Sequence, residues 1–157
     1  MKKPAYQTIL LGGLIAGVLD ITYACVFSYI RRGTTPMTVL RSVATGALGR
    51  SALDGGAKTA ALGLFFHFLI ALIAATVYYF ASRALSFMVT QAIICGILYG
   101  VCVYAVMNCL VLRLSAIHPN LYPWSYPKSV LIGGLLIHMF GIGLPIALAV
   151  RWGSRER

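Results

Sequence analysis

Gly63-Leu-Phe-Phe-His67-Phe-Leu-Ile-Ala-Leu-Ile-Ala-Ala-Thr-Val-Tyr-Tyr-Phe80 decides the fold. A helix rises about 1.5 Å per residue, so roughly 20 apolar residues cross the ~30 Å hydrocarbon layer of a bilayer. With its flanks this stretch gives an uncharged run over residues 57–81, apart from Lys58 at its edge. Its one imidazole, His67, falls near the middle. A polar group at that depth has no water to bond with, so it needs a partner or a purpose.

Three more runs of the same kind flank it, over residues 8–30, 87–112 and 129–150. They are continuous rather than alternating, which favours helices over the strands of a barrel. Sixty per cent of the chain is hydrophobic and only 10% charged, against about 25% charged in soluble domains. The expectation is an all-α integral membrane four-helix bundle, residues 1–157 forming a single transmembrane domain with no separate soluble module.

The formal net charge is +10, from 13 Lys and Arg against three acids. All the cations fall between or beyond the apolar runs, as expected at a membrane interface, where they favour anionic lipid headgroups. No soluble face remains for a nucleic-acid patch. The run after Lys2 and Lys3 is longer than a signal peptide's apolar core and reads as an uncleaved first span. No lipidation signal is evident at either end.

The first run stops at Arg31-Arg32-Gly33, a charge stop followed by a helix breaker. Thr35 then caps a short helix with Pro36 in its first position. Val39, Leu40, Val43, Ala47 and Leu48 share one face of it, which predicts an interfacial or re-entrant helix between spans one and two. Asp54 precedes span two, where it suits the positive end of the helix dipole. Residues 82–86 form a tight hairpin. The loop over residues 113–128 carries three prolines, which exclude regular helix, and Tyr122, Trp124 and Tyr126, which fit an interfacial aromatic belt. His118-Pro119-Asn120 within it reads as a turn.

Both termini share one side of a four-span chain. That side holds Lys2, Lys3, Arg83, Arg151, Arg155 and Arg157; the other holds Arg31, Arg32, Arg41, Arg50, Lys58, Arg113 and Lys128. The cation count is nearly balanced, and the two basic tails tip the expectation towards cytoplasmic termini.

An internal repeat is visible. Gly13-Leu-Ile-Ala-Gly17-Val resembles Gly96-Ile-Leu-Tyr-Gly100-Val, and Gly63-Leu-Phe-Phe-His67 resembles Gly134-Leu-Leu-Ile-His138. Two hairpins of one direction, related by a pseudo-two-fold along the membrane normal, would give this pattern.

Asp20, His67 and His138 are the acids and imidazoles inside the spans, and their positions along three separate spans put all of them near mid-bilayer. Each lies on a stripe of small residues: Gly13, Gly17, Asp20 and Ala24; Gly63, His67, Ala71, Ala74 and Tyr78; Gly134, His138, Gly141 and Pro145. Small residues let membrane helices approach closely, so these faces should pack inward. An Asp at mid-bilayer costs about 2.5–3.5 kcal/mol on insertion scales, and a nearby imidazole that shares its proton reduces the penalty. Three readings follow. The three residues form a structural hydrogen-bond network; or they form a proton- or ion-conducting relay, with Asn108 as a further member; or Asp20, His67 and His138 ligate a transition metal, or the two histidines a haem b.

Met88, Cys95, Cys102 and Cys109 recur every seven residues, nearly one helical face. They read as apolar fillers before they read as a soft-metal track. Neighbours on that face rise too far apart for a disulfide, and Cys25 has no evident mate. Asn108 is expected to hydrogen-bond between helices. No phosphate-binding glycine loop, CxxC, His-Glu-x-x-His or nucleophile elbow occurs, so no enzyme is indicated.

At Gly17-Val-Leu-Asp20, Gly63-Leu-Phe-Phe-His67-Phe-Leu-Ile-Ala, Val106-Met-Asn108 and His138-Met-Phe-Gly-Ile-Gly-Leu-Pro145-Ile-Ala, the chain resembles a group of small four-span bacterial inner-membrane proteins with no assigned activity. The resemblance runs over nearly the whole length. It implies a bacterial inner membrane and carries over no functional residue. The sequence thus supports a small inner-membrane protein with a buried Asp/His/His centre serving proton- or ion-linked transport, or a non-catalytic accessory subunit of a membrane complex. A homo-oligomer is compatible with the glycine-rich faces.

Overall fold

A computed structural model describes residues 4–117 and 122–154. His118, Lys2, Lys3, Arg155 and Arg157 lie outside the described residues. Among those described the protein is all-helical. Four helices are long and apolar enough to cross a membrane: span one Ala5–Arg32, span two Gly56–Ala84, span three Ala92–Leu114 and span four Lys128–Ser154. This is the architecture of a multi-pass membrane protein.

The helices run past the expected apolar runs: span one reaches Arg32, span two reaches Ala84, inside the hairpin expected over residues 82–86, and span four reaches Ser154. Span one stops at Gly33, whose φ of 65° is left-handed and lets its N–H turn back to the carbonyls of Ser28 and Tyr29. Arg31 and Arg32 occupy the negative end of the same helix dipole. Span two ends at Leu85, and a single turn over Phe87–Thr90 leads to a break at Gln91 before span three begins. The third run therefore starts helical at Phe87, as expected, but in two pieces.

The connecting helix, Pro36–Leu48, starts as the sequence predicts: Thr38 N–H donates to Thr35 Oγ1 at 3.4 Å and Pro36 takes the first position. Its inward face keeps Val39 of the expected one but is rotated away from Ala47 and Leu48. Val39, Ala44 and Thr45 are buried, while Leu48 is exposed. The cause is Gly63 on span two, which lies so close that an added methyl group would run into the Leu40 carbonyl. Such an approach needs a small residue against bare main chain, and here Ala44 and Thr45 turn inward while Ala47 and Leu48 stay exposed. Asp54 sits in a 3-10 turn (Arg50–Asp54) ahead of span two. Gly55 takes the N-cap, with no side-chain cap bond and no acid in the first turn.

The spans pack as two hairpins. In the first, Gly13 and Gly17 of span one face Leu72, Phe68 and Ala71 of span two. In the second, Gly96 and Gly100 of span three face Gly143, Leu144 and Ala147 of span four. Methyl groups at Gly100 and Gly143 would each meet main-chain atoms of the partner helix. The repeated glycine pair thus does the same job in each half. The halves join along spans one and four, where Gly12 lies against Ile146 and Ala149. A core of Ala16, Ala74, Ala75, Tyr78, Ile142, Ile146 and Val150 fills the centre.

Spans two and three meet near the hairpin that connects them. Tyr78 OH donates to the Met88 carbonyl at 3.0 Å, and Tyr99 OH donates to the Ala74 carbonyl at 2.7 Å. The two phenol rings sit edge to face, 5.0 Å apart. On the same side Arg83 stacks over Tyr79 and donates to Ser154 Oγ at 2.7 Å, tying that hairpin to the end of span four.

Candidate functional site

The close approach at Gly13 and Gly17 carries span one's main chain up to His67. Nε2 of His67 lies 2.8 Å from the Gly17 carbonyl oxygen. A carbonyl can only accept, so Nε2 carries a hydrogen. The other nitrogen, Nδ1, lies 3.9 Å from Oδ2 of Asp20. Any second proton on this ring therefore sits on the edge facing the carboxylate. The two side chains are 12% and 21% exposed. Among the described residues, His67 is the only cationic or protonatable partner within ion-pair distance of Asp20, and no hydrogen-bond donor reaches its carboxylate. Phe68 meets the His67 ring edge-on at 5.5 Å.

His138 belongs to the second hairpin. Its Nδ1 donates to the Gly134 carbonyl one turn back, at 2.8 Å, and its ring lies edge-on to Tyr104, 5.2 Å away. Asn108 was expected to bond between helices; instead its Nδ2 donates to the Tyr104 carbonyl of its own helix at 2.9 Å. Both residues occur where the helix widens to π-type turns, Met107–Val111 in span three and His138–Gly143 in span four. Such turns are uncommon and cluster at functional positions, because widening one turn re-aims the side chains that follow.

All four polar residues line one cavity of about 710 Å³. Its walls are span two from Phe66 to Ala74 and span three from Val103 to Leu114. Asp20, Ala16 and Gly17 of span one and His138 and Ile142 of span four form its back. The connecting helix borders it through Ser42, Val43, Gly46 and Ala47. Beside the lining residue Gly46, Ala116 N–H donates to the Gly46 carbonyl at 2.8 Å. Most of the lining is apolar, so the carboxylate and its imidazole neighbour stand out chemically.

The structure thus brings Asp20 and His67 together and sets Asn108 and His138 on the same cavity. Among the described residues, no group of three or more His, Cys, Asp or Glu side chains could hold a metal ion. Each imidazole also has one nitrogen committed to a main-chain carbonyl. Cys102 and Cys109 are exposed on span three, and Cys25 and Cys95 are half-buried; all four are free thiols. Reading the sequence alone missed Tyr99, whose hydroxyl ties span three to the carbonyl of the cavity-lining Ala74, and the small residues of the connecting helix that border the cavity. Tyr99 precedes Gly100 of the glycine pair, the one signal that could have flagged it.

Compared with protein-family models, with curated proteins and with solved structures, the chain matches none.

Proposed function

We propose that the protein is a small carrier of an inner bacterial membrane, working by proton- or ion-linked transport, with Asp20 as the group that exchanges its proton or cation. The observation that carries this reading is the Asp20–His67 pair, 3.9 Å apart, on the wall of a largely apolar cavity. A bare carboxylate at that depth is costly, and its charge is relieved by a proton or a cation. His67 keeps Nε2 fixed on Gly17 and offers Nδ1 to the same proton. Loss of that proton to a solute or to water changes the charge of the cavity, which is the elementary event of coupled transport.

In this reading His138 and Asn108 are further polar stations on the wall of the cavity. A four-span chain is small for a complete pathway, so a homodimer in contact with anionic lipid is the expected assembly, with cytoplasmic termini. The test is pH-driven flux in liposomes containing the purified protein. Flux that collapses to the protein-free background on Asp20→Asn supports the relay. Flux unchanged by that substitution removes it.

A further inference from the structure

We infer that the cavity between spans two and three takes a lipophilic cation from the bilayer, its charge lodged against Asp20 and its apolar body against span three. The inference deepens the carrier reading and rests on it.

The first support is the repeat. Gly13 and Gly17 correspond to Gly96 and Gly100, so the position three residues later corresponds as well: Asp20 in span one, Val103 in span three. Both line the cavity. The fold packs this position with an apolar side chain in one half, so an acid is not what the helix needs there. The second support is charge. Among the described residues, no Lys or Arg neutralises Asp20 and no donor bonds it, while a neighbouring imidazole lies 3.9 Å away. An anion would meet that carboxylate as a like charge, whereas a cation supplies what the site lacks. The third support is shape. The volume of about 710 Å³ falls within the roughly 300–1,000 Å³ range of small-molecule pockets. Ile70, Val103 and Met107 offer apolar surface, with Met adaptable to irregular ligands. Leu69, Val111 and Leu114 on the lining are exposed, so the cavity is reached from the hydrocarbon side between the two spans.

The experiment is equilibrium dialysis of tetraphenylphosphonium and of tetraphenylborate against nanodiscs with and without the wild-type protein, at one neutral pH and no gradient. The two probes share a shape and differ in charge. Saturable uptake of the phosphonium in excess of empty discs is expected. Asp20→Asn should weaken it at least about tenfold, the scale of losing a close charge pair. Leu69→Trp, which fills the cavity from an exposed position, should abolish it and stands in if Asp20→Asn fails to fold. The inference is overturned by absence of saturable phosphonium uptake, by borate binding as tightly, or by uptake indifferent to both substitutions. Proton flux that still depends on Asp20, without phosphonium uptake, would reject this ligand class and leave the carrier reading standing. Phosphonium uptake without Asp20-dependent flux would do the reverse.

Discussion

The Nε2 of His67 donates to the carbonyl of Gly17, fifty residues earlier in the chain, across the glycine-lined contact between spans one and two. The matching pair in the second hairpin, Gly100 and His138, also meets, but main chain to main chain: a methyl group on Gly100 would run into the His138 carbonyl. One motif thus serves two ends. In the first half it aims an imidazole at an acid; in the second it locks two backbones.

His67→Leu should remove the bond to Gly17 and leave Asp20 without its neighbour. Hydrogen bonds between membrane helices are worth about 0.6 kcal/mol on average and up to about 1.7. Unfolding of the purified protein in mixed micelles should show a loss of that order. pH-driven flux should fall well beyond what so small a loss of stability explains. A variant as active as wild type would assign the imidazole to packing alone.

Gly100→Ala and Gly46→Ala should part company. At Gly100 the added methyl meets the His138 carbonyl and the Met139 Cα, neither of which is a movable side chain. Overpacking of this kind costs about 1–3 kcal/mol. At Gly46 the nearest atom is Ser115 Cβ at 3.8 Å, an ordinary contact. There the alanine should be neutral or stabilise the connecting helix by up to about 1 kcal/mol. Thermal aggregation in detergent, followed by size-exclusion chromatography, ranks the two.

Tyr99→Phe deletes the hydroxyl that holds span three to the Ala74 carbonyl, and Tyr78→Phe deletes the one on Met88. Each should cost about 0.6–1.7 kcal/mol. Because the two rings touch, the double variant should depart from the sum of the singles. Stability measured across the full cycle checks this; strict additivity would mean the two hydroxyls act independently.

Gly46 and Ser115 offer a geometric test of how the connecting helix borders the cavity. A Cβ built at Gly46 lies 3.8 Å from that of Ser115, inside the spacing a disulfide needs. In a background with Cys25, Cys95, Cys102 and Cys109 replaced by serine, Gly46→Cys with Ser115→Cys should cross-link under mild oxidation, seen as a mobility shift reversed by reductant. Failure to cross-link would place the helix elsewhere.

Much of this arrangement was legible in the residues. Four apolar runs fix four spans, and glycines spaced by four mark which faces meet. The repeat of Gly13/Gly17 at Gly96/Gly100 anticipates the paired hairpins. The Asp20–His67 contact follows from both residues lying on small-residue stripes at one depth. Other features depend on tertiary balance and leave no local mark. The widened turns at Met107 and His138 arise in sequences that read as ordinary helix, and they settle where Asn108 bonds. The connecting helix turned a different edge inward because Gly63 admits main chain where leucine would not fit. The cavity itself is a space left between spans two and three, and no residue pattern encodes a space.

The interlock of Gly100 with Gly143 has a genetic corollary. Where a side chain crowds a side chain, a compensating change elsewhere can restore the fit. Here an enlarged residue would press on peptide groups, which every amino acid shares. Suppressor screens started from Gly100→Ala should therefore return true revertants, and second-site rescuers at neighbouring positions should be scarce.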